Sequence, residues 1–173
     1  QKTRGVQHLC AALRDHGARY SGPSYRWING AMASPCMHGG GVLASSQTTA
    51  SWVTEMTKER GIRHWVTATA APCTSLFKPV RIEEQLDTGT PTDKADDSLW
   101  WRHERFHRLA VQSPAAYRDL YVPERNALEA DWVENPPEPN EAFAKHGELL
   151  EQWLDAARKI GAADLRPSYV QRY

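Results

Sequence analysis

Apolar and polar positions follow two different periods along this chain, and the change of period divides it. Val6, Leu9, Cys10 and Leu13 are spaced i, i+3, i+4, i+7, so residues 4–16 are expected to form an amphipathic helix that Gly17 stops. A polar, aromatic stretch with Gly and Pro runs on to about residue 30. Residues 34–82 are rich in Thr, Ser, Val and Ala, and they alternate. From Gln47 to Met56, Thr49, Ser51 and Val53 share one side and Thr48, Ala50, Trp52 and Thr54 the other. His64 to Ala70 alternates in the same way. Leu76 to Ile82 reads as a further strand, with Pro79 placing a bulge or an edge there. Three or four consecutive strands with small residues on both faces predict a sheet packed on both sides. Asp87 to Asp97 reads as a polar loop.

The remainder has helical period. Ser98 is expected to cap a helix over Leu99 to Gln112, and Ser113-Pro114 to start the next. Tyr117, Leu120 and Tyr121 continue the spacing, Pro123 is expected to kink or restart the helix, and Leu128 and Trp132 carry its buried face. After a break at Asn135 to Pro139, Asn140 is expected to cap a last helix. Its stripe is Phe143, Leu150, Trp153, Leu154, Ala157 and Ile160, and Arg158 and Lys159 suit its C-terminal end. The order is a helix within residues 1–17, a sheet within 30–86 and helices within 98–161. That predicts an α+β fold, one unit over residues 1–173, mostly antiparallel sheet followed by three helices.

Lys and Arg balance Asp and Glu to a net charge of +0, so neither nucleic acid nor an anionic membrane is expected as a partner. No apolar run approaches the roughly 20 residues that span a bilayer, and no secretory signal is seen at the N-terminus. Cys10, Cys36 and Cys73 are odd in number and widely spaced, without a Cys-x-x-Cys pair, so the spacing suggests neither a disulfide framework nor a structural zinc site. Free thiols suit a reducing, cytoplasmic location. No cofactor is expected.

The candidate chemistry begins with His103-Glu104-x-x-His107, the letter pattern of a zinc peptidase. On a helix both imidazoles could reach one metal with Glu104 as general base. Arg102, Arg105 and Arg108 argue against it, because three guanidinium groups beside a dication are unfavourable. Glu124 is the only tempting third ligand. The expectation is therefore that no metal sits there, that the two imidazoles are buried, and that Glu104 pairs with Arg108 at i,i+4. Cys36 and His38 would share a face of a strand, as a thiol–imidazole pair or as core residues. Gly39-Gly40-Gly41 reads as a hairpin turn before it reads as a ligand loop. Thr48, Thr49 and Ser51 are candidate donors to an acyl group or carboxylate. Lys78 is a candidate for a substrate carboxylate, weighed against a solvated edge lysine.

Four ordered blocks then carry a resemblance. They are Cys36-Met37-His38; Gln47 to Val53 (QTTASWV); Trp65 to Val80 (WVTATAAPCTSLFKPV); and Leu99 to Arg108 (LWWRHERFHR). With Leu13-Arg14-Asp15-His16 in the leading helix, the chain resembles the secernin and dipeptidase family of N-terminal-nucleophile hydrolases from near residue 6 to about 160. The resemblance implies a four-layer αββα fold and a cysteine nucleophile at a mature N-terminus. The α-amino group of that residue takes the thiol proton, and an acyl-enzyme forms. This chain departs at the decisive place. Gln1 offers no nucleophile, and Cys10 lies inside an expected helix. The blocks match the C-terminal half of the family. The expectation is thus the C-terminal chain or part of a cysteine amidohydrolase or dipeptidase acting on small amides. Its partner would be an N-terminal chain or segment bearing the catalytic Cys, with a homo-oligomer of the two-chain unit as a further option. The alternatives are a non-catalytic secernin-like binding protein and, third, a zinc peptidase using His103, Glu104 and His107.

Overall fold

The computed structural model describes residues 5–17, 22–90 and 92–171; Gln1 and the first residue of the expected leading helix lie outside them. The elements are α1 (Val6–Leu13), β1 (Trp52–Thr57), β2 (Gly61–Val66), β3 (Lys78–Val80), α2 (Leu99–Ala110), α3 (Pro114–Glu134) and α4 (Pro139–Ile160). The class is α+β, with an antiparallel sheet of order β1-β2-β3.

The hairpin register pairs Trp52 with Val66, Thr54 with His64 and Met56 with Ile62. Gly61 closes its turn at φ 70°, a backbone state that Gly adopts without strain. Pro79, which has no N–H to give a ladder, lies opposite Trp65 in the short edge strand β3. The expected strand at His64 to Ala70 stops at Val66. Ala68 (φ 49°) and Ala71 (φ 50°) turn left-handed there, which costs a residue with a Cβ on the order of 1–2 kcal/mol each. Hydroxyl groups hold that turn. Thr67 Oγ1 accepts from Ser51 N at 2.9 Å, Thr69 and Ser75 hydroxyls meet at 2.5 Å, and Ala71 N donates to Thr48 O at 2.7 Å.

Among the described residues the sheet is covered on one side and only at a corner of the other. Val53 and Trp65 pack with Val6 and Cys10 of α1, Phe77 and Val133 of α3. By the two-residue period, Trp52, Thr54 and Met56 form the other face with His64 and Ile62 opposite them. On that face Trp52 is 55% exposed, Met56 74% and Ile62 65%, and nearby Ile82 is 68% exposed. Phe143 of α4 covers only the corner at Val66 and Val80. Small side chains were expected to permit two covered faces, but the large apolar residues of this face are the exposed ones.

The main core lies among the three C-terminal helices, around Phe106, Tyr117, Leu150, Trp153 and Leu154. Ser98 caps α2 as expected, its Oγ accepting from Trp101 N at 3.5 Å. α3 starts with Pro114 at its first turn but runs unbroken through Pro123 for 21 residues. Its buried Tyr117, Tyr121 and Trp132 hold both halves against the core. Asn140 is not the cap of α4. The helix already begins at Pro139, and Glu138, in the cap position, is held at 2.6 and 2.7 Å by Arg81.

Candidate functional site

The interrupted strand sets up the site. Because the chain turns at Ala68 and Ala71, residues 72–76 swing back under α1 and α3, and Cys73 comes with them. Two guanidinium groups pin this turn. Arg14 Nε donates to Pro72 O at 2.7 Å and its Nη2 to Ser75 O at 3.0 Å, while Arg125 donates to Cys73 O. Arg14 is itself held by Glu129 at 2.5 and 2.8 Å, and Glu129 Oε1 also accepts from Phe77 N at 2.7 Å. The loop between α1 and β1 brings the next part. His38 pairs with Ala31 as an isolated antiparallel bridge, and Cys36 N donates to Asp15 O at 3.2 Å, beside His16.

The result is a centre in which one ligand-type atom from each of His16, Cys36, His38 and Cys73 lies within 4.8 Å of the others. His38 Nε2 is 2.9 Å from His16 Nε2, 3.3 Å from Cys36 Sγ and 3.6 Å from Cys73 Sγ. Cys36 and His38 are buried; Cys73 and His16 are half-buried. The two sulfurs divide one charge unequally. A hydrogen bond from Cys36 holds the Cys73 thiol well below its ordinary value, against the cost of burial and with the help of the charge on His38. Cys36 is driven up by the same bond and by burial. His16 and Cys73 open onto a groove of about 320 Å³ that Arg14, Arg118, Tyr121 and Arg125 also line. Chemically, this is a pair of thiols with two imidazoles, a set suited to holding a borderline-soft dication or to thiolate nucleophilicity.

Beside it runs a second buried seam. Thr74 Oγ1 lies 3.2 Å from His103 Nε2 and 3.3 Å from His107 Nδ1. The His107 ring stacks on His38 with centroids 5.1 Å apart. Lys78 Nζ donates to Thr67 O at 2.5 Å and Leu76 O at 2.8 Å, and sits 3.1 Å from His146 Nδ1. Burial pulls Lys78 down to about 7, and it pulls His103 down to about 3, with the Lys78 charge adding to the second shift.

The sequence candidates separate accordingly. Cys36 and His38 do meet. Thr48 supports them from below, its Oγ1 accepting from Met37 N at 3.0 Å. Thr49 is exposed, and Ser51 serves the turn through its backbone. Lys78 is neither a solvated edge lysine nor open to a carboxylate. At 0% exposure its ammonium is spent on two carbonyls and an imidazole, since α4 closes over β3. Gly41 answers to backbone packing, because a Cβ there would strike Ala44 O and Gly30 N. His103 and His107 converge on a hydroxyl. Glu104 turns away to Arg108 at 3.0 Å and Gln47 at 3.1 Å, and Glu124 accepts from Trp153 Nε1 at 3.0 Å, so nothing among the described residues completes a metal set there.

His16 and Cys73 were missed by the spacing argument, which looked for ligands close in sequence. One signal did exist: all four residues fall inside the segments that carry the family resemblance. Compared with known proteins, the chain matches no family model, no curated protein and no solved structure.

Proposed function

We propose that the chain is the C-terminal chain or part of a cysteine amidohydrolase or dipeptidase that cleaves small amides through an acyl-enzyme, with the nucleophilic cysteine on another segment. The observation that carries this reading is the half-covered sheet. One face lies on helices, and the other exposes Trp52, Met56 and Ile62. In a layered αββα arrangement a second sheet packs against such a face, at about 10 Å spacing. That second sheet is the occupant we assign to it, carried by the N-terminal segment of the same enzyme.

Two further observations support the reading. The four blocks that carry the resemblance meet in space rather than scatter: Thr48 bonds Met37, Gln47 bonds Glu104, Ser51 bonds Thr67, and Thr74 meets His103 and His107. Neither buried cysteine suits the nucleophile's task. Cys10 is pushed up to about 12 by burial, and Cys36 is raised by its bond to Cys73. Among the described residues no helix is long and apolar enough to cross a membrane. A reducing, cytoplasmic setting would keep the three thiols free, as they are here.

The test is to purify the protein with whatever accompanies it, identify each polypeptide by intact mass and N-terminal sequencing, and assay dipeptide hydrolysis. A second polypeptide or segment beginning with Cys, with hydrolysis lost on alkylation of that residue, is the expected result. A folded, monomeric 19.5 kDa species that hydrolyses no amide would overturn the reading. So would hydrolysis by this chain alone that Cys73→Ser abolishes.

A further inference from the structure

Four side chains from three parts of the chain bring one ligand-type atom each to within 4.8 Å of the others. We propose that His16, Cys36, His38 and Cys73 bind one Zn²⁺ in a closed tetrahedral site that clamps the end of α1, the loop around residue 36 and the turn at residue 73. This goes beyond the hydrolase reading and does not depend on it.

Geometry is the first argument. Zn–S bonds of about 2.3 Å and Zn–N bonds of about 2.0–2.1 Å set tetrahedral ligands roughly 3.3–3.8 Å apart. The separations from His38 Nε2 to the other three atoms, 2.9, 3.3 and 3.6 Å, lie in that range or about 0.4 Å short of it, and all four atoms fall inside 4.8 Å. Hydrogen bonding is the second. A neutral imidazole Nε2 offers one proton or one lone pair, yet His38 Nε2 faces three partners at once. The His16–His38 contact uses the one proton or lone pair that His38 Nε2 has, which leaves nothing on that nitrogen for either sulfur. A dication at the centre of the four atoms satisfies them all.

Charge and framing agree. Two thiolates and two neutral imidazoles neutralise Zn²⁺, and an S₂N₂ set selects zinc over the harder divalent ions. Three of the four ligands are held by frames of their own: Cys73 by Arg125 and Arg14 through the turn carbonyls, Cys36 by Asp15 O, and His38 by its bridge to Ala31 and its stack on His107. Because side chains fill all four positions, the site is of the structural kind, without an open position for substrate.

The protein, reduced and with any copurifying partner retained, is incubated with Zn²⁺, freed of excess and measured for bound metal; a parallel sample takes Co²⁺. Expected are one equivalent of zinc, and a Co²⁺ spectrum with strong tetrahedral bands and thiolate-to-cobalt charge transfer. Cys36→Ser and Cys73→Ser should each lose stoichiometric zinc, while His103→Gln and Glu104→Gln keep it. Where a cysteine variant does not fold, the wild-type protein decides. Chelation should lower its melting temperature, and Zn²⁺ should restore it. Absence of bound metal, a cobalt spectrum without thiolate charge transfer, or a Cys36–Cys73 disulfide in protein prepared without oxidant overturns the proposal. Metal content reads this site whether or not any amide is cleaved, so the two readings fail separately.

Discussion

Two histidine-rich regions touch in this molecule, and they obey different chemistry. In one, His103 and His107 have the sequence spacing of metal ligands, yet their nitrogens meet at the Thr74 hydroxyl. In the other, His16, Cys36, His38 and Cys73 have no spacing that suggests a ligand set, yet their donor atoms gather within 4.8 Å. The difference is one of partners. In the first region the Thr74 hydroxyl meets His103 Nε2 and His107 Nδ1, and Lys78 meets the neighbouring His146 Nδ1. In the second, the single His38 Nε2 faces an imidazole and two sulfurs at once, more partners than it can bond. What the atoms face, rather than how far apart the letters stand, decides which cluster can hold an ion.

The largest effect is expected where both regions share a scaffold. Glu129→Ala leaves Arg14 buried without its counter-charge and Phe77 N without its acceptor. Breaking a buried pair from one side costs about 3–5 kcal/mol, read as a shift in the urea midpoint. A loss under about 1 kcal/mol would show that the two clusters do not depend on this clamp.

Acidification separates the regions next. His103 titrates near 6.5 when unfolded and is held down to about 3 when folded. Between those values the unfolded chain binds a proton that the folded one refuses, so stability is full above 6.5 and falls toward pH 3. The slope is up to about 1.4 kcal/mol per pH unit, and His103→Gln should flatten it. Lys78, at about 7 folded against 10.5 unfolded, follows the same sign: stability rises as pH climbs through that window. Denaturation across pH with a chelator present reads both without contribution from bound metal.

Thr74→Val removes the hydroxyl between the two imidazoles and should cost about 1–3 kcal/mol while leaving zinc capacity intact. Loss of zinc in this variant would merge the two regions into one. The smallest effect is expected from Glu104→Gln. Its i,i+4 pair with the exposed Arg108 contributes about 0.3–0.5 kcal/mol. Metal content should not change in this variant or in His103→Gln, and the latter tests the zinc-peptidase letter pattern directly, because there the imidazoles and not the carboxylate would hold the ion.

Local pattern placed the helices but not all their ends: α1 stops at Leu13 rather than at Gly17, Asn140 is not a cap, and Ile160 at the end of the α4 stripe is 45% exposed. The i, i+3, i+4 stripe of α4, the Ser98 cap and the basic last turn of α4 were all legible, because each depends on residues within a few positions. The edge role of Pro79 was legible for the same reason, since its missing N–H acts wherever the strand lies. Strand ends were not. Val66 terminates β2 because hydroxyls and a distant Thr48 carbonyl hold Ala68 and Ala71 in a left-handed turn, and no periodicity encodes that.

The sequence by itself determined the α+β class, the order of the elements and the burial of His103 and His107, since these follow from periods of a few residues. Only the tertiary structure decided that Lys78 is buried, that one sheet face stays open, and that His16 and Cys73 join Cys36 and His38. Those outcomes depend on side chains meeting across as many as 68 residues of chain, and contacts at such separations are set by packing rather than by local pattern.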